Sequence, residues 1–195
     1  MPRTGGYLTR QKILDKAKRL FARNGIDGTS LDDIAAGVGV HKASLFYHFK
    51  NKQAIINALY AEILHELDDY IDKASEDLRR RKKAVTLKDQ IKMEIEHLSS
   101  KNDIITVMLA ETLKKGNGCN SFFECARKVF QAEHPSAKPS AKNMTHEFFT
   151  GFLPLVAFIV FREKWGHFVQ CSDDTLLEHF LTSFDFTHLR TQPST

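Results

Sequence analysis

The residues with the clearest chemical potential lie between Ser30 and Phe49. Ser30 and Asp33 stand at the spacing of a reciprocal N-cap, in which the hydroxyl accepts from the Asp33 N–H and the carboxylate reaches back. The helix opened there ends near Gly37, and a turn through Val38-Gly39-Val40 leads into a third helix from about Lys42 to Phe49. Two short helices joined by a glycine turn make a helix-turn-helix, and its demands are physical. Ala35 falls where the two helices cross and a larger side chain would clash, while Gly39 suits a turn position of positive φ. Ile34, Val38, Val40 and Leu45 supply the apolar wedge that sets the crossing angle. His41, Lys42, Ala43, Ser44, Tyr47 and His48 remain on the outer face of the third helix, where small and polar groups can enter a DNA major groove.

Charge points to the same part of the chain. The 195 residues carry 28 Lys and Arg against 24 Asp and Glu, a net +4. Residues 1–52 hold ten basic and four acidic residues, a balance of +6, which leaves 18 and 20, or −2, for residues 53–195. Phosphate binding draws on locally clustered Lys and Arg, so the head and not the body is the expected partner of a polyanion.

Composition narrows the scaffold to helices. Hydrophobic residues at 42% and charged residues at 27% are ordinary for a globular protein, whereas Gly (10) and Pro (5) are too scarce for a fold of many tight turns. Three cysteines and the lack of an apolar segment after Met1-Pro2-Arg3 lead us to expect a reduced, cytoplasmic protein without cofactor. The longest apolar run, Phe152 to Phe161, falls short of the roughly 20 residues of a membrane helix, so no membrane partner is expected. No Gly-rich phosphate loop, nucleophile motif or paired-carboxylate signature marks an enzyme.

Periodicity predicts the elements. A first helix runs from about Thr9 to Arg23 on Ile13, Ala17, Leu20 and Phe21, and Asn24-Gly25 stops it. Asn51 caps a long fourth helix carrying Ile55, Leu59, Ile63, Leu67 and Ile71 toward Leu78. Arg79 to Lys83 reads as a solvated helix end or a basic patch, and Thr86 caps the next helix. Helices from Asp103 to Gly116-Asn117-Gly118 and from Ser121 to about Glu133 precede a duplicated Pro-Ser-Ala-Lys loop. Met144 to about Lys164 is apolar nearly all round, with a kink or break expected at Pro154, and a last helix spans Asp173 to about Leu189. The expected fold is all-α: a three-helix head over residues 1–52, joined through the fourth helix to a larger helical body over residues 53–195.

The segment from Thr9-Arg10-Gln11-Lys12-Ile13 through Ile34-Ala35, Gly37-Val38-Gly39-Val40 and Leu45-Phe46-Tyr47-His48-Phe49-Lys50-Asn51-Lys52 resembles the DNA-binding domain of TetR-type transcriptional regulators. By that resemblance Ser30, Tyr47, His48 and Lys52 contact phosphates. Lys42, Ala43 and Ser44 face base edges, with His41 at the start of their helix. Arg3 and Arg10 are candidates for an arm or first-helix phosphate contact. The sequence departs from the family at Phe46, usually Tyr, and at His41, often Ser or Thr. Phe46 has no hydroxyl for a phosphate and suits packing or a thymine methyl, and His41 adds a donor.

The resemblance implies that the body holds a small-molecule pocket and a homodimer interface. Fifteen Phe, concentrated beyond residue 120, would suit a lipophilic or aromatic effector, although the same rings could fill a core or an interface. Candidate pocket residues are Met108, Thr112, Phe123, His146, Phe149, Phe152 and Trp165. The stripe from Leu176 to Phe184, with the apolar face of the preceding helix, is expected to pair with its own copy as a four-helix bundle, so that two recognition helices about 34–36 Å apart read a palindromic operator. Two rival readings use other residues or none: a metal or thiol-redox sensor built on Cys119 and Cys125 with His134, or Cys171 with His167, and a helical interaction module without DNA binding.

Overall fold

The computed structural model describes residues 4–80, 86–114, 120–136 and 138–184. Among these every regular element is helical. The helices are α1 (Thr4–Asn24), α2 (Leu31–Val38), α3 (Lys42–His48), α4 (Lys52–Arg80), α5 (Leu87–Ser99), α6 (Asn102–Thr112), α7 (Asn120–Glu133), α8 (Ala141–Glu147), α9 (Leu153–Val169) and α10 (Asp173–Phe184), with a π-helical turn (Phe148–Phe152) between α8 and α9. Contacts group them into two compact units, one of residues 1–67 with 103–122 and one of residues 68–102 with 123–195.

In the first unit α1 begins five residues before the predicted start. Its first turns carry Tyr7 and Leu8 at the surface, 67% and 56% exposed, so no apolar stripe announces them. Of the predicted stripe Ile13, Ala17 and Phe21 are buried while Leu20 is half-buried; with Leu14 they join Ile34 and Ala35 of α2, Leu45 of α3 and Ile55, Ile56 and Leu59 of α4 in the core. Burying each such aliphatic or aromatic side chain contributes about 1.5–3 kcal/mol, which lets two helices of seven and eight residues persist where neither would alone. Asn51 caps α4 as predicted, its side-chain oxygen accepting from the Ala54 N–H at 2.8 Å.

In the second unit α5, α9 and α10 pack on one another. Their core includes Ile91 and Ile95, Leu155, Val156 and Ile159, and Leu176, Leu177, Leu181 and Phe184. Thr86 caps α5, accepting from the Asp89 N–H and donating to the Asp89 carboxylate. The break expected at Pro154 takes a specific form. The helix widens into a π turn, in which the Leu153 N–H donates to the Phe148 carbonyl five residues back, and Pro154 then falls in the first turn of α9, where its missing N–H costs nothing. Gln170 closes α9 in the left-handed region at φ 53, and its N–H reaches the carbonyls of Gly166 and His167. By length and composition Ala141–Val169 could cross a bilayer, a longer apolar stretch than Phe152 to Phe161. Its inner face instead packs on α5 and α10 through Leu155, Val156 and Ile159. Arg81 to Lys83, Gly116-Asn117-Gly118 and the expected end of the last helix lie outside the described residues.

Candidate nucleic-acid interface

The interface is built from the turn that precedes it. Thr29 is buried, and its hydroxyl donates to the carbonyls of Gly25 at 2.9 Å and Leu20 at 3.3 Å, closing the loop after α1. From the start of α4, Lys52 donates its ammonium to the carbonyls of Ile26 at 2.7 Å and Thr29 at 3.0 Å. Lys114 bridges Asp27 at 2.7 Å and Glu111 at 2.6 Å, tying the end of α6 to the same loop and holding the Asp27 carboxyl below the usual range. These three groups hold the backbone from which α2 departs. No local pattern announces that Lys52 and Lys114 reach this loop, because Ile26 and Asp27 lie 26 and 87 residues from them.

At Ser30 the predicted capping box is formed in full. The hydroxyl accepts from the Asp33 N–H at 3.1 Å and donates to the Asp33 carboxylate at 2.7 Å, while the Ser30 N–H donates to that carboxylate at 2.8 Å. These bonds hold the Asp33 carboxyl below the ordinary carboxylate range. Gly39 ends α2 at φ 77, and the N–H groups of Gly39 and Val40 both reach the Ala35 carbonyl at 3.0 Å, which turns the chain into α3. Ile34 and Leu45 are fully buried; Val38 and Val40, expected in the same wedge, are half-buried.

What α3 presents follows from that anchorage. Leu45 and Phe49 face inward, and His41, Lys42, Ala43, Ser44, Phe46 and Tyr47 face out. Tyr47 is 86% exposed, with its ring edge-on to that of half-buried His48 at 5.2 Å. Phe46, 44% exposed, puts an apolar ring on the same polar face. Lys42 reaches back to Asp32 of α2 at 2.8 Å. The Arg10 guanidinium lies 4.9 Å from the centroid of the Phe49 ring, a cation–π contact that braces α3. Arg3 lies outside the described residues.

The effector candidates fall at scattered places. Met108, buried, and Thr112, whose hydroxyl donates to the Met108 carbonyl at 2.7 Å, belong to the first unit. In the second, Phe123 and Phe149 are largely exposed and lie on either side of Phe148, and Phe152 is buried. Nε2 of half-buried His146 has no hydrogen-bond partner among the described residues. Trp165 is 52% exposed and stacks on Phe168. An open cleft of about 210 Å³ is lined by Ser99, Asn102, Ile159, Arg162, Glu163 and Asp173, none of them candidates.

Other polar groups of the second unit were not anticipated. Burial and then the Glu147 charge push Glu94 up to about 7. Desolvation, followed by the charges of Glu147 and Glu94, pushes Glu133 up to about 8, although the residue as a whole is exposed. Of the cysteines in the thiol or metal reading, Cys125 is buried, Cys171 half-buried and Cys119 outside the described residues. Neither Cys125 nor Cys171 joins a group of three convergent metal-capable side chains among the described residues.

A buried-wedge helix-turn-helix followed, among the described residues, by helices alone defines a helical DNA-binding architecture. The model of bacterial regulatory proteins of the tetR family matches residues 13–59. Over 46 residues the chain is 54% identical to the biofilm operon icaADBC HTH-type negative transcriptional regulator IcaR of Staphylococcus aureus strain Newman, covering 24% of this chain and 25% of that protein. The same-named regulator of Staphylococcus epidermidis is 38% identical over 68 residues, 35% of this chain and 37% of that one. The similarity therefore spans about a quarter to a third of these curated relatives. The fold extends further: a TetR-family transcriptional regulator from Bordetella parapertussis superposes with a TM-score of 0.66 at 20% identity, covering 95% of this chain and 98% of that one. The match to the tetR family of bacterial regulatory proteins thus covers residues 13–59, and beyond that segment the chain shares the fold of solved tetR-family regulators.

Proposed function

We propose that the protein is a cytoplasmic transcriptional repressor that binds a palindromic operator as a homodimer and is released by a small, lipophilic or aromatic effector. The observation that carries the reading is the exposed face of α3, anchored from behind by buried Leu45 and Phe49. On it Lys42, Ala43 and Ser44 read base edges, with His41 beside them, while Tyr47, His48 and the capped turn at Ser30 meet phosphates. Arg10 and Lys52 act mainly by positioning, because Arg10 lies over Phe49 and Lys52 spends two of its three donors on backbone carbonyls.

Leu176, Leu177, Leu181 and Phe184 of the stripe expected to pair are buried within the chain against α5 and α9, so support for a homodimer comes instead from α9, whose Phe161, Trp165, Phe168 and Val169 are 52%, 52%, 78% and 39% exposed, an apolar strip that a second copy would cover. An effector that prefers a pose with the heads spread beyond one helical turn of DNA lowers operator affinity, and the operator lowers effector affinity by the same factor. The test is a gel shift with genomic fragments across a salt series. The intact protein is expected to give a footprint that weakens steeply with salt. The double variant Lys42→Ala with Tyr47→Ala is expected to lose it while keeping its helical circular dichroism. A footprint that survives both substitutions sinks the proposal. Native mass spectrometry of protein purified from its host would identify the effector.

A further inference from the structure

The second unit holds a group of side chains that the DNA-reading function leaves unused. Glu133 is the last residue of α7, His134 follows it, and Glu147 is the last residue of α8. One ligand atom from each converges so that all three lie within 4.8 Å of one another, and His134 Nε2 stands 3.8 Å from a Glu147 carboxylate oxygen. We propose that Glu133, His134 and Glu147 bind one divalent transition-metal cation of the Zn²⁺ class.

Three physical features favour a cation here. Glu147 is only 4% exposed, and the carboxyl group of the more exposed Glu133 is brought against it, so two acidic groups that repel each other when both are ionised share one place. A charge of +2 between them offsets that repulsion. The site also lies at the C-terminal end of the 14-residue helix α7, the negative end of its dipole, which attracts cations.

The donor set selects the class of ion. Two carboxylates and one imidazole suit Zn²⁺ and its neighbours better than Mg²⁺ or Ca²⁺, which take oxygen ligands throughout. Ligand atoms around a tetrahedral ion at ~2.1 Å stand about 3.4 Å apart, so the 3.8 Å separation of His134 and Glu147 needs a closure of only a few tenths of an ångström. The His134 ring packs against Phe130, with centroids 5.0 Å apart, yet its side chain is 32% exposed, which gives an ion a way in. Three protein ligands leave a fourth position for water or for a coordinating small molecule.

The experiment uses the full chain, stripped with chelator and titrated with Zn²⁺ alone by calorimetry; no DNA is present, so its outcome is independent of the repressor reading. One ion per chain is expected, with affinity at least tenfold lower in His134→Ala and in Glu147→Gln. X-ray absorption on the zinc-loaded wild-type protein is expected to show nitrogen and oxygen neighbours at about 2.0–2.2 Å. A sulfur neighbour at about 2.3 Å would move the ion to the cysteines and overturn the proposal. Zinc uptake by the wild type no greater than by the triple variant Glu133→Gln, His134→Ala, Glu147→Gln would overturn it as well. The absorption measurement needs no variant, so a substitution that unfolds the chain leaves the site testable.

Discussion

Lys42, the first residue of α3, lies with its ammonium 2.8 Å from the carboxylate of Asp32 in α2, and both side chains are more than half exposed. Asp32 thus occupies the place of an anion on the face proposed to meet DNA. A phosphate or base edge that takes Lys42 must displace it.

Asp32→Asn should therefore tighten binding to duplex DNA by about two- to fivefold, the order of an exposed ion pair. Fluorescence anisotropy with a labelled duplex at low salt measures this. An unchanged affinity would mean that Lys42 does not face the nucleic acid.

Gly39→Ala tests the turn. At φ 77 a Cβ is strained by its own backbone, and no other atom lies within 4 Å of it, so the cost is conformational: about 1–2 kcal/mol. At Gly37 the atoms nearest a Cβ belong to the Lys16 side chain, which can swing out, so Gly37→Ala should cost less. Urea denaturation of the two variants compares them; equal losses would contradict the assignment.

Ser30→Ala removes the cap of α2 and should cost about 1 kcal/mol at neutral pH. Because the Ser30 bonds hold the Asp33 carboxyl below its ordinary value, their contribution is complete above that value and is lost as pH falls through the depressed one. The gap in stability between Ser30→Ala and wild type should narrow in acid, as thermal melts across a pH series would reveal.

Lys52→Met takes the ammonium from the Thr29 carbonyl and leaves the Ile26 carbonyl only the Thr29 N–H at 3.3 Å, and should destabilise the protein by about 1–3 kcal/mol. The salt dependence of DNA binding should keep its slope. A slope shallower by about one would instead give Lys52 a phosphate contact.

Trp165→Ala truncates the centre of the exposed α9 strip. If that strip is the dimer interface, the dissociation constant of the dimer should rise about tenfold or more, as is common for a tryptophan anchor. Sedimentation velocity at several concentrations reads this out, and an unaltered monomer–dimer balance would remove α9 from the interface.

Legibility followed the range of the interactions. The Ser30–Asp33 box, the glycine turn at Gly39 and the caps at Asn51 and Thr86 join groups a few residues apart, so spacing alone reveals them. The first turns of α1 escaped because their side chains face water and carry no period. Pro154 announced a break but not its form, since a π turn is one of several ways to accommodate a missing donor.

By itself, then, the sequence determined the helical class, the helix-turn-helix and, apart from half-buried His48 and exposed Phe46, the residues on the outer face of α3, all of which rest on patterns within a turn or two of helix. Only the tertiary structure decided what those residues are tied to. It set Lys52 on the carbonyls of Ile26 and Thr29, Arg10 over Phe49 and Lys42 on Asp32, so that three cations alike in composition differ in what they can still reach. It also brought Glu147 to Glu133 and His134 across the loop between α7 and α8. Such convergence depends on how packed helices bring distant residues together, and periodicity along one chain carries no record of that distance.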